Sequence, residues 1–264
     1  MLRPEELPSR LALAVAAAQE AGRLTLEYFR RDDLEVERKG DNTPVTAADR
    51  GAEQLLRRRI AEAFPDDGIL GEEFPDQQPG KSGFRWIVDP IDGTKSFIHG
   101  VPLYTNLVAV EFEGRSVVGV INAPATGECV YAARGLGAWQ LHDGLPPRPA
   151  HVSRCAALSE SLFVTSEVLS FDKTRRRAAY DRMQTAARLT RTWGDAYGYM
   201  MVATGRAEVM IDPIVAIWDV APMPPILEEA GGTMTDWTGR PTHLAGEGVA
   251  TNGLVLDEVL KQLK

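Results

Sequence analysis

The chain has 264 residues, of which 44% are hydrophobic and 25% charged, and its formal net charge is −8. These values are typical of a globular protein with a large core. Because it is acidic and has no basic stripe, we expect no nucleic-acid partner. Two cysteines are too few for a zinc site, and reduced thiols predict a cytoplasmic protein. The apolar run at residues 11–18 is too short to span a bilayer, so no membrane partner is expected.

Two helices are predicted near the start of the chain. The first has an apolar face over residues 11–29, and Ser9 is its expected N-cap. The second is expected to begin at Thr46. Residues 68–73 and 86–88 then predict strands that place acidic residues at their ends.

Two predicted hairpins and a proline-rich stretch follow. β-rich runs predict the hairpins at residues 107–112 with 116–121 and 129–133 with 138–141. The proline-rich stretch 142–149 then breaks the pattern. We take it as the boundary between an α+β lobe at 1–145 and an α/β lobe at 150–264.

Beyond the boundary, strands and helices alternate. The expected strands are 162–165, 207–211 and 249–251, and the expected helices are 173–189, 195–204, one before Gly231, and 254–263.

The most informative segment reads Trp-Ile-Val-Asp-Pro-Ile-Asp-Gly-Thr at residues 86–94. A predicted buried strand ends at Asp89, turns at Pro90 and presents Asp92. Two carboxylates this close repel unless a cation lies between them. Magnesium takes such oxygen ligands, including backbone carbonyls such as that of Ile91.

The same string also offers a place for phosphate. Gly93 lets the backbone approach an anion closely, and amides at a helix start can hold phosphate oxygens, with the Thr94 hydroxyl beside them. Carboxylates next to such a cradle indicate metal-assisted transfer of a phosphoryl group to water. The simpler alternative is a turn in which Asp89 and Asp92 cap and Gly93 bends, and the whole string makes it the less favoured reading.

The string resembles the signature of the inositol monophosphatase family, and further motifs follow in the family's order. The resemblance covers roughly residues 11–263. The other matching segments are Gly-Glu-Glu at 71–73, Asp-Asn-Thr-Pro-Val-Thr-Ala-Ala-Asp at 41–49, Trp-Asp-Val-Ala at 218–221 and Glu-Ala-Gly-Gly at 229–232. The resemblance implies the layered αβαβα sandwich of the sugar-phosphatase superfamily, a homodimer, and a small phosphorylated metabolite as substrate.

The resemblance also implies metal ligands, with two or three Mg²⁺ ions in each site. Glu72, Asp89 and the Ile91 carbonyl would bind one Mg²⁺. Asp89, Asp92 and Asp219 would bind a second, and Glu72 also faces a looser third ion.

By the same resemblance, Asp49 and Thr94 would form the pair that activates water, with Glu72 as a further catalytic residue and Lys39 near the metals. The reaction is then expected to be in-line attack on phosphorus by water that magnesium activates. The positions expected to contact the substrate are Ile91, Asp92, Gly93, Thr94, Arg191, Asp195 and Asp212.

Several of these residues have simpler interpretations. Thr46 and Asp49 have the spacing of a capping box, Glu72 and Glu73 could be an exposed acidic pair, and Asp219 could be an ordinary N-cap. Beside the Asp-Pro-Ile-Asp-Gly-Thr string we favour the catalytic role for Asp49. Three prolines after Asp219, at positions 222, 224 and 225, predict that the helix there starts late or is distorted.

Substrate choice is expected to depend on residues 191–212. The Trp-Gly-Asp-Ala-Tyr-Gly-Tyr run at 193–199 resembles the histidinol-phosphate phosphatase branch, which implies hydrolysis of L-histidinol phosphate in histidine biosynthesis. An inositol monophosphatase is the first alternative, and a phosphoadenosine or fructose-bisphosphate phosphatase fits less well. A regulatory binding protein is the alternative outside enzymes. Asp195 could instead cap a helix, and Asp212 could simply end a strand.

Overall fold

The computed structural model describes residues 4–76 and 80–264, so the first three residues of the predicted N-terminal lobe lie outside the described part of the chain. The first helix, α1 (Leu7–Tyr28), begins two residues before Ser9, and the prediction of Ser9 as its N-cap is wrong. The reason is Pro8, which fits the first turn because its fixed φ suits a helix start and no hydrogen bond is lost there.

A short hairpin leads into the second helix. β1 (Val36–Arg38) pairs antiparallel with β2 (Pro44–Thr46), and α2 (Ala47–Ala63) follows directly. Thr46 is the N-cap of α2, and its Oγ1 accepts a hydrogen bond from Ala48 N at 3.2 Å. The predicted start of this helix is therefore confirmed.

The next part of the chain forms a mixed sheet of seven strands within the described residues. In chain order, its strands and one enclosed helix are β3 (Gly68–Gly71), β4 (Phe84–Asp92), α3 (Thr94–Ile98), β5 (Thr105–Phe112), β6 (Arg115–Ala123), β7 (Glu128–Ala133), β8 (Ala138–His142) and β9 (Arg148–Pro149). β3 is parallel to β4, and the other pairs are antiparallel. Both predicted hairpins, β5–β6 and β7–β8, are confirmed.

The rest of the described chain forms a second sheet, in the order β11-β10-β12-β14-β13, with its helices. The elements are β10 (Leu162–Val164), α4 (Val168–Lys173), α5 (Arg177–Ala186), β11 (Leu189–Arg191), α6 (Ala196–Ala203), β12 (Val209–Asp212), α7 (Ile217–Val220), α8 (Met223–Glu229), β13 (Thr233–Thr235), β14 (Gly248–Thr251) and α9 (Leu256–Leu263). The first sheet ends at Pro149 and the second begins at Leu162. The division into two lobes at 142–149 stays a prediction.

The helix predicted over residues 173–189 is present but shorter, as α5 (Arg177–Ala186). The preceding helix α4 was not predicted; it ends at Lys173, and the two helices are separated at Arg175, whose φ of 60° lies in the left-handed region. Phe171 and Tyr180, on either side of the break, both pack into the core, with ring centroids 5.1 Å apart. Burial of both rings thus favours the break over a continuous helix.

The prolines after Asp219 interrupt a helix, as expected. α7 ends at Val220, and α8 begins only at Met223. Pro224 and Pro225 therefore fall in the first turn of α8, where a missing N–H breaks no intrahelical bond.

The helices and the two sheets form five layers, which are held together by three buried apolar clusters. One cluster joins α1 and α2 to the seven-stranded sheet, a second joins that sheet to the five-stranded sheet through α6 and α8, and a third joins the five-stranded sheet to α4, α5 and α9. The predicted αβαβα sandwich is confirmed. Within the described ranges, no helix combines the length and the apolar character that crossing a bilayer requires.

Candidate active site

A β-bulge in β4 directs two acidic side chains to one side of the large sheet. Asp89 lies opposite Leu107, and Asp92 lies opposite Thr105. Between these two pairs β4 has two residues and β5 has only one, so β4 contains one extra residue. In a regular strand, residues three apart point to opposite faces, whereas one inserted residue returns them to the same face. The bulge therefore brings the carboxylates of Asp89 and Asp92 together.

A third carboxylate, from the short helix α7, lies beside them. One oxygen each of Asp89, Asp92 and Asp219 lie within 4.8 Å of one another. Asp219 is the third residue of α7, and its Oδ2 accepts a hydrogen bond from the N-cap amide, Ala216 N, at 2.8 Å. The alternative of Asp219 as an ordinary N-cap is therefore wrong.

Burial of these carboxyl groups changes their acidity. Burial, followed by the charges of neighbouring carboxylates, raises the pKa of Asp89 and of Asp92 well above the ordinary value. Burial also raises the pKa of Asp219 to about 7. Ionised together, these groups repel one another unless a cation lies between them. The donors are all oxygens, which fits a hard divalent cation such as Mg²⁺.

The turn after the bulge is organised by its own polar groups. Ile91 N donates to Asp89 Oδ1 at 3.0 Å, and Thr94 Oγ1 donates to the Ile91 carbonyl at 3.1 Å. Gly93 has φ +80°, a left-handed conformation that glycine adopts without strain, and it is the N-cap of α3. The turn thus directs the start of α3 toward the acidic cluster.

Glu72 lies at the edge of the cluster and is paired with a lysine. Lys39 Nζ donates to Glu72 Oε1 at 2.6 Å and to Glu73 Oε1 at 2.7 Å. The side chain of Glu73 is only 5% exposed, and its burial raises its pKa to about 7. The alternative of an exposed acidic pair is therefore wrong, and Lys39 lies beside the predicted ligand Glu72.

Asp49 belongs to a capping box and also has a free oxygen. Its Oδ2 accepts from Thr46 N at 2.8 Å and from Thr46 Oγ1 at 2.6 Å. Its Oδ1 is buried and has no hydrogen-bond partner among the described residues. Burial raises the pKa of Asp49 above its ordinary value. The capping role is thus present, and the pairing of Asp49 with Thr94 stays a prediction.

A cavity of about 320 Å³ opens over the bulge. The predicted site residues that line it are Glu72, Asp89, Ile91, Asp92, Gly93, Thr94, Asp195 and Asp219. Thr43, Pro44, Lys95 and Ile214 also line it and were missed from the sequence. Lys95 follows the Gly-Thr pair directly, so its position in the chain was a usable signal. No feature of the sequence indicated Ile214, because its position beside the cavity depends on how the strands of the second sheet pair.

Asp195 occupies the N-cap position of α6, but its side chain makes no capping hydrogen bond, so the alternative of Asp195 as a helix cap is wrong. The first amide of α6, Ala196 N, donates to Asp92 Oδ2 at 2.6 Å, and Thr105 Oγ1 donates to the same oxygen at 3.0 Å. A Cβ atom at Gly93 would lie 2.9 Å from Asp195 Oδ2. The Asp195 carboxylate therefore lies against the Gly93 backbone.

Asp212 supports this arrangement from behind the cavity. Its Oδ1 accepts from Ser166 N at 2.9 Å and its Oδ2 from Ser166 Oγ at 2.8 Å, while Ser166 Oγ accepts from Asp195 N at 2.7 Å. Arg191 is exposed, and its Nη1 donates to Thr190 O at 2.7 Å. Neither Asp212 nor Arg191 is among the described residues that line the cavity. Their contact with substrate stays a prediction, and the role of Ser166 was missed.

Comparison with known proteins shows which family the chain belongs to. The profile described as "Inositol monophosphatase family" matches residues 6–264. The chain belongs to the inositol monophosphatase family. It is 49% identical over 241 residues to a histidinol-phosphatase of Chlorobaculum parvum, covering 91% of each chain. It is 39% identical to a histidinol-phosphatase of Mycobacterium tuberculosis, covering 96% of this chain and 97% of that one.

A solved structure has the same fold. The extragenic suppressor protein suhB of Bartonella henselae is 30% identical and superposes with a TM-score of 0.88, covering 97% of this chain and 98% of that chain. Members of the inositol monophosphatase family are metal-dependent enzymes that act on small phosphorylated substrates. This family member is a phosphomonoesterase.

Proposed function

We propose that this phosphomonoesterase hydrolyses L-histidinol phosphate to L-histidinol in histidine biosynthesis and that it requires Mg²⁺. The observation that carries the proposal is the Asp195 carboxylate held against Gly93, beside the acidic cluster. The similarity to two proteins named histidinol-phosphatase supports the choice of substrate.

The residues that would hold Mg²⁺ are the carboxylates of Glu72, Asp89, Asp92 and Asp219 and the Ile91 carbonyl, with two or three ions per site. Bound there, Mg²⁺ would lower the pKa of a water molecule and neutralise charge on the phosphate and the leaving alkoxide. Buried carboxylates that repel one another favour such an ion, because among the described residues Lys39 pairs with Glu72 and no lysine or arginine forms an ion pair with Asp89, Asp92 or Asp219.

The chain's own groups would position the reactants. The amides of Gly93 and Thr94 at the start of α3 would hold phosphate oxygens. The Thr94 hydroxyl would orient the attacking water, and Asp49, whose Oδ1 is free, would accept the proton through Thr94. For this the Thr94 hydroxyl must turn from the Ile91 carbonyl toward Asp49. Glu72, at the edge of the cluster, would take part in the reaction through the ions that it helps to hold.

Charge distinguishes the proposed substrate from its alternative. In histidinol phosphate, two carbon atoms separate the ammonium nitrogen from the ester oxygen, so the ammonium lies near any group that adjoins the phosphate. A phosphate held by Gly93 and Thr94 would place this ammonium next to Asp195. Inositol 1-phosphate offers only hydroxyls there.

We expect a kcat/KM for histidinol phosphate roughly ten- to hundredfold above that for inositol 1-phosphate. A sheltered charge-assisted hydrogen bond is worth about 1.5–3 kcal/mol, and about 1.4 kcal/mol corresponds to a factor of ten. Phosphate release from both substrates with Mg²⁺ measures the ratio. A preference for inositol 1-phosphate would contradict the proposed substrate, and release from neither would favour a regulatory role.

Asp195→Asn is expected to lower kcat/KM for histidinol phosphate about tenfold or more and to leave that for inositol 1-phosphate nearly unchanged. The amide keeps the size of the carboxylate and loses the charge that binds ammonium. The matched control is Asp181→Asn, which removes the same charge from an exposed position on α5. An equal loss on both substrates would show that Asp195 is structural. Asp212→Asn, tested in the same assay, is expected to change this substrate preference indirectly. Asp212 binds Ser166, and Ser166 in turn binds the Asp195 amide.

The homodimer and the cytoplasmic location stay parts of this proposal. Size-exclusion chromatography with light scattering tests the first, and fractionation of cells tests the second.

A further inference from the structure

The bulge in β4 leaves backbone groups that the sheet cannot pair, and side chains satisfy them. Two residues of β4, Pro90 and Ile91, lie opposite a single residue of β5, Asn106. The Ile91 amide donates to Asp89 Oδ1, and the Ile91 carbonyl accepts from Thr94 Oγ1. Pro90 has no N–H, so its carbonyl is the remaining group. Asn106 Nδ2 donates to this Pro90 carbonyl at 2.6 Å.

The two hydrogen bonds at the bulge hold opposite sides of one peptide unit. The Pro90 carbonyl and the Ile91 amide belong to the same planar group. Asn106 holds its oxygen, and Asp89 accepts from its N–H at 3.0 Å. Without the Asn106 bond this plane can rotate, and the Asp89 carboxylate then loses the amide that fixes its orientation.

Asn106 is itself held in place by two neighbouring elements. It is fully buried, and its Oδ1 accepts from Nδ2 of Asn122, its cross-strand partner on β6, at 2.9 Å. Asn122 Nδ2 also donates to the Ala18 carbonyl of α1 at 3.2 Å. α1 comes close enough for this because of Gly22, where any Cβ would collide with the Asn122 side chain. The orientation of the Asn106 amide is therefore fixed by β6 and α1.

We propose that Asn106 is a positioning residue for the metal-binding turn. The inference rests on the proposed function, since it takes Asp89, Ile91 and Asp92 as metal ligands. Asn106 lies behind these ligands and touches none of the reacting atoms. Its effect is to fix the peptide unit between Pro90 and Ile91 before the metal binds.

The test is Asn106→Leu, which keeps the volume and removes the donor. Groups that orient metal ligands typically change metal affinity about 10–100-fold when replaced. We expect the Kd for Mg²⁺, measured by calorimetry on EDTA-treated protein, to rise by about this factor. At saturating Mg²⁺, the KM for histidinol phosphate is expected to stay near that of the parent, because the substrate contacts are intact.

Val120→Ala is the matched control. Val120 is a fully buried residue of β6, two positions from Asn122, and its truncation weakens the same layer without touching the turn. We expect it to lower the melting temperature and leave the Kd for Mg²⁺ unchanged. If Asn106→Leu does not fold, Asn106→Ser replaces it, because serine is small and cannot reach the Pro90 carbonyl.

A Kd for Mg²⁺ within about twofold of the parent in the folded Leu or Ser variant would overturn the positioning role while leaving the proposed function in place. A rise in Kd in Val120→Ala as large as in Asn106→Leu would also overturn it, since general loosening would then explain the effect. A parent protein that binds no Mg²⁺ would overturn the proposed function itself.

Discussion

Asp92→Asn is expected to lower kcat by more than about a hundredfold and to leave the fold intact. Replacing a group that merely orients a metal ligand already costs about 10–100-fold, and Asp92 is a proposed ligand. Asparagine keeps the size and an acceptor oxygen for Ala196 N, so the start of α6 is retained. Because the repulsion with Asp89 and Asp219 is relieved, the metal-free variant is expected to melt slightly higher than the parent.

Phosphate release at saturating Mg²⁺ and melting with EDTA measure both parts of this expectation. Thr105→Val is the matched control, since it removes a hydroxyl that donates to Asp92 Oδ2 but keeps the carboxylate charge. Its loss of kcat is expected to be much smaller. Near-normal turnover by Asp92→Asn would refute the role of Asp92 as a ligand. A large fall in its melting temperature would instead identify a structural turn residue.

Removal of metal with EDTA is expected to abolish phosphate release, and added Mg²⁺ to restore it. The described cavity holds clustered carboxylates, and the proposed chemistry depends on the ion they would bind. Full turnover in excess EDTA would contradict the requirement. Release that returns with added Mg²⁺, titrated at a fixed substrate concentration, gives the affinity of the functional ion.

Metal removal is also expected to make stability depend on pH. Burial raises the pKa of Asp212 to about 7 and that of Asp219 to about 7. The stability that such groups contribute is fully present below their unfolded pKa of about 4 and is lost as pH rises through 7. The metal-free protein is therefore expected to melt lower at about pH 8.5 than at about pH 5.5.

The difference in melting temperature with and without Mg²⁺ checks this sign. Mg²⁺ compensates the ionised carboxylates, so the increment it produces is expected to grow from about pH 5.5 to about pH 8.5. In Asp92→Asn the increment is expected to be small at both values. An increment in the parent that shrinks as pH rises would contradict the assignment of Asp219 to a cation site.

Local sequence signals predicted the parts of the site that depend on neighbouring residues. The Asp-Pro-Ile-Asp-Gly-Thr string predicted the acidic turn, and the spacing of Thr46 and Asp49 predicted the capping box as an alternative. Both hairpins followed from turn residues between β-rich runs. Each of these features is fixed within a few residues of chain.

Features that depend on register or on distant pairing were not predictable. The spacing of Asp89 and Asp92 alone places them on opposite faces of a strand, and only the pairing with β5 reveals the bulge. The first amide of α6, Ala196 N, donates to Asp92, 104 residues earlier in the chain, rather than to the adjacent Asp195. The left-handed turn at Arg175 lies between Phe171 and Tyr180, which pack into one buried cluster with residues distant in the chain.

The hydrogen bond from Ala196 N to Asp92 Oδ2 joins the large sheet to the helix layer between the sheets. A motion that draws α6 away from β4 would remove this amide and leave the Thr105 hydroxyl to hold the carboxylate. The residence time of a bound ion would then be governed partly by how often the layers separate. The packing of α6 against β4 would thus be coupled, through one oxygen of Asp92, to the retention of the proposed ion.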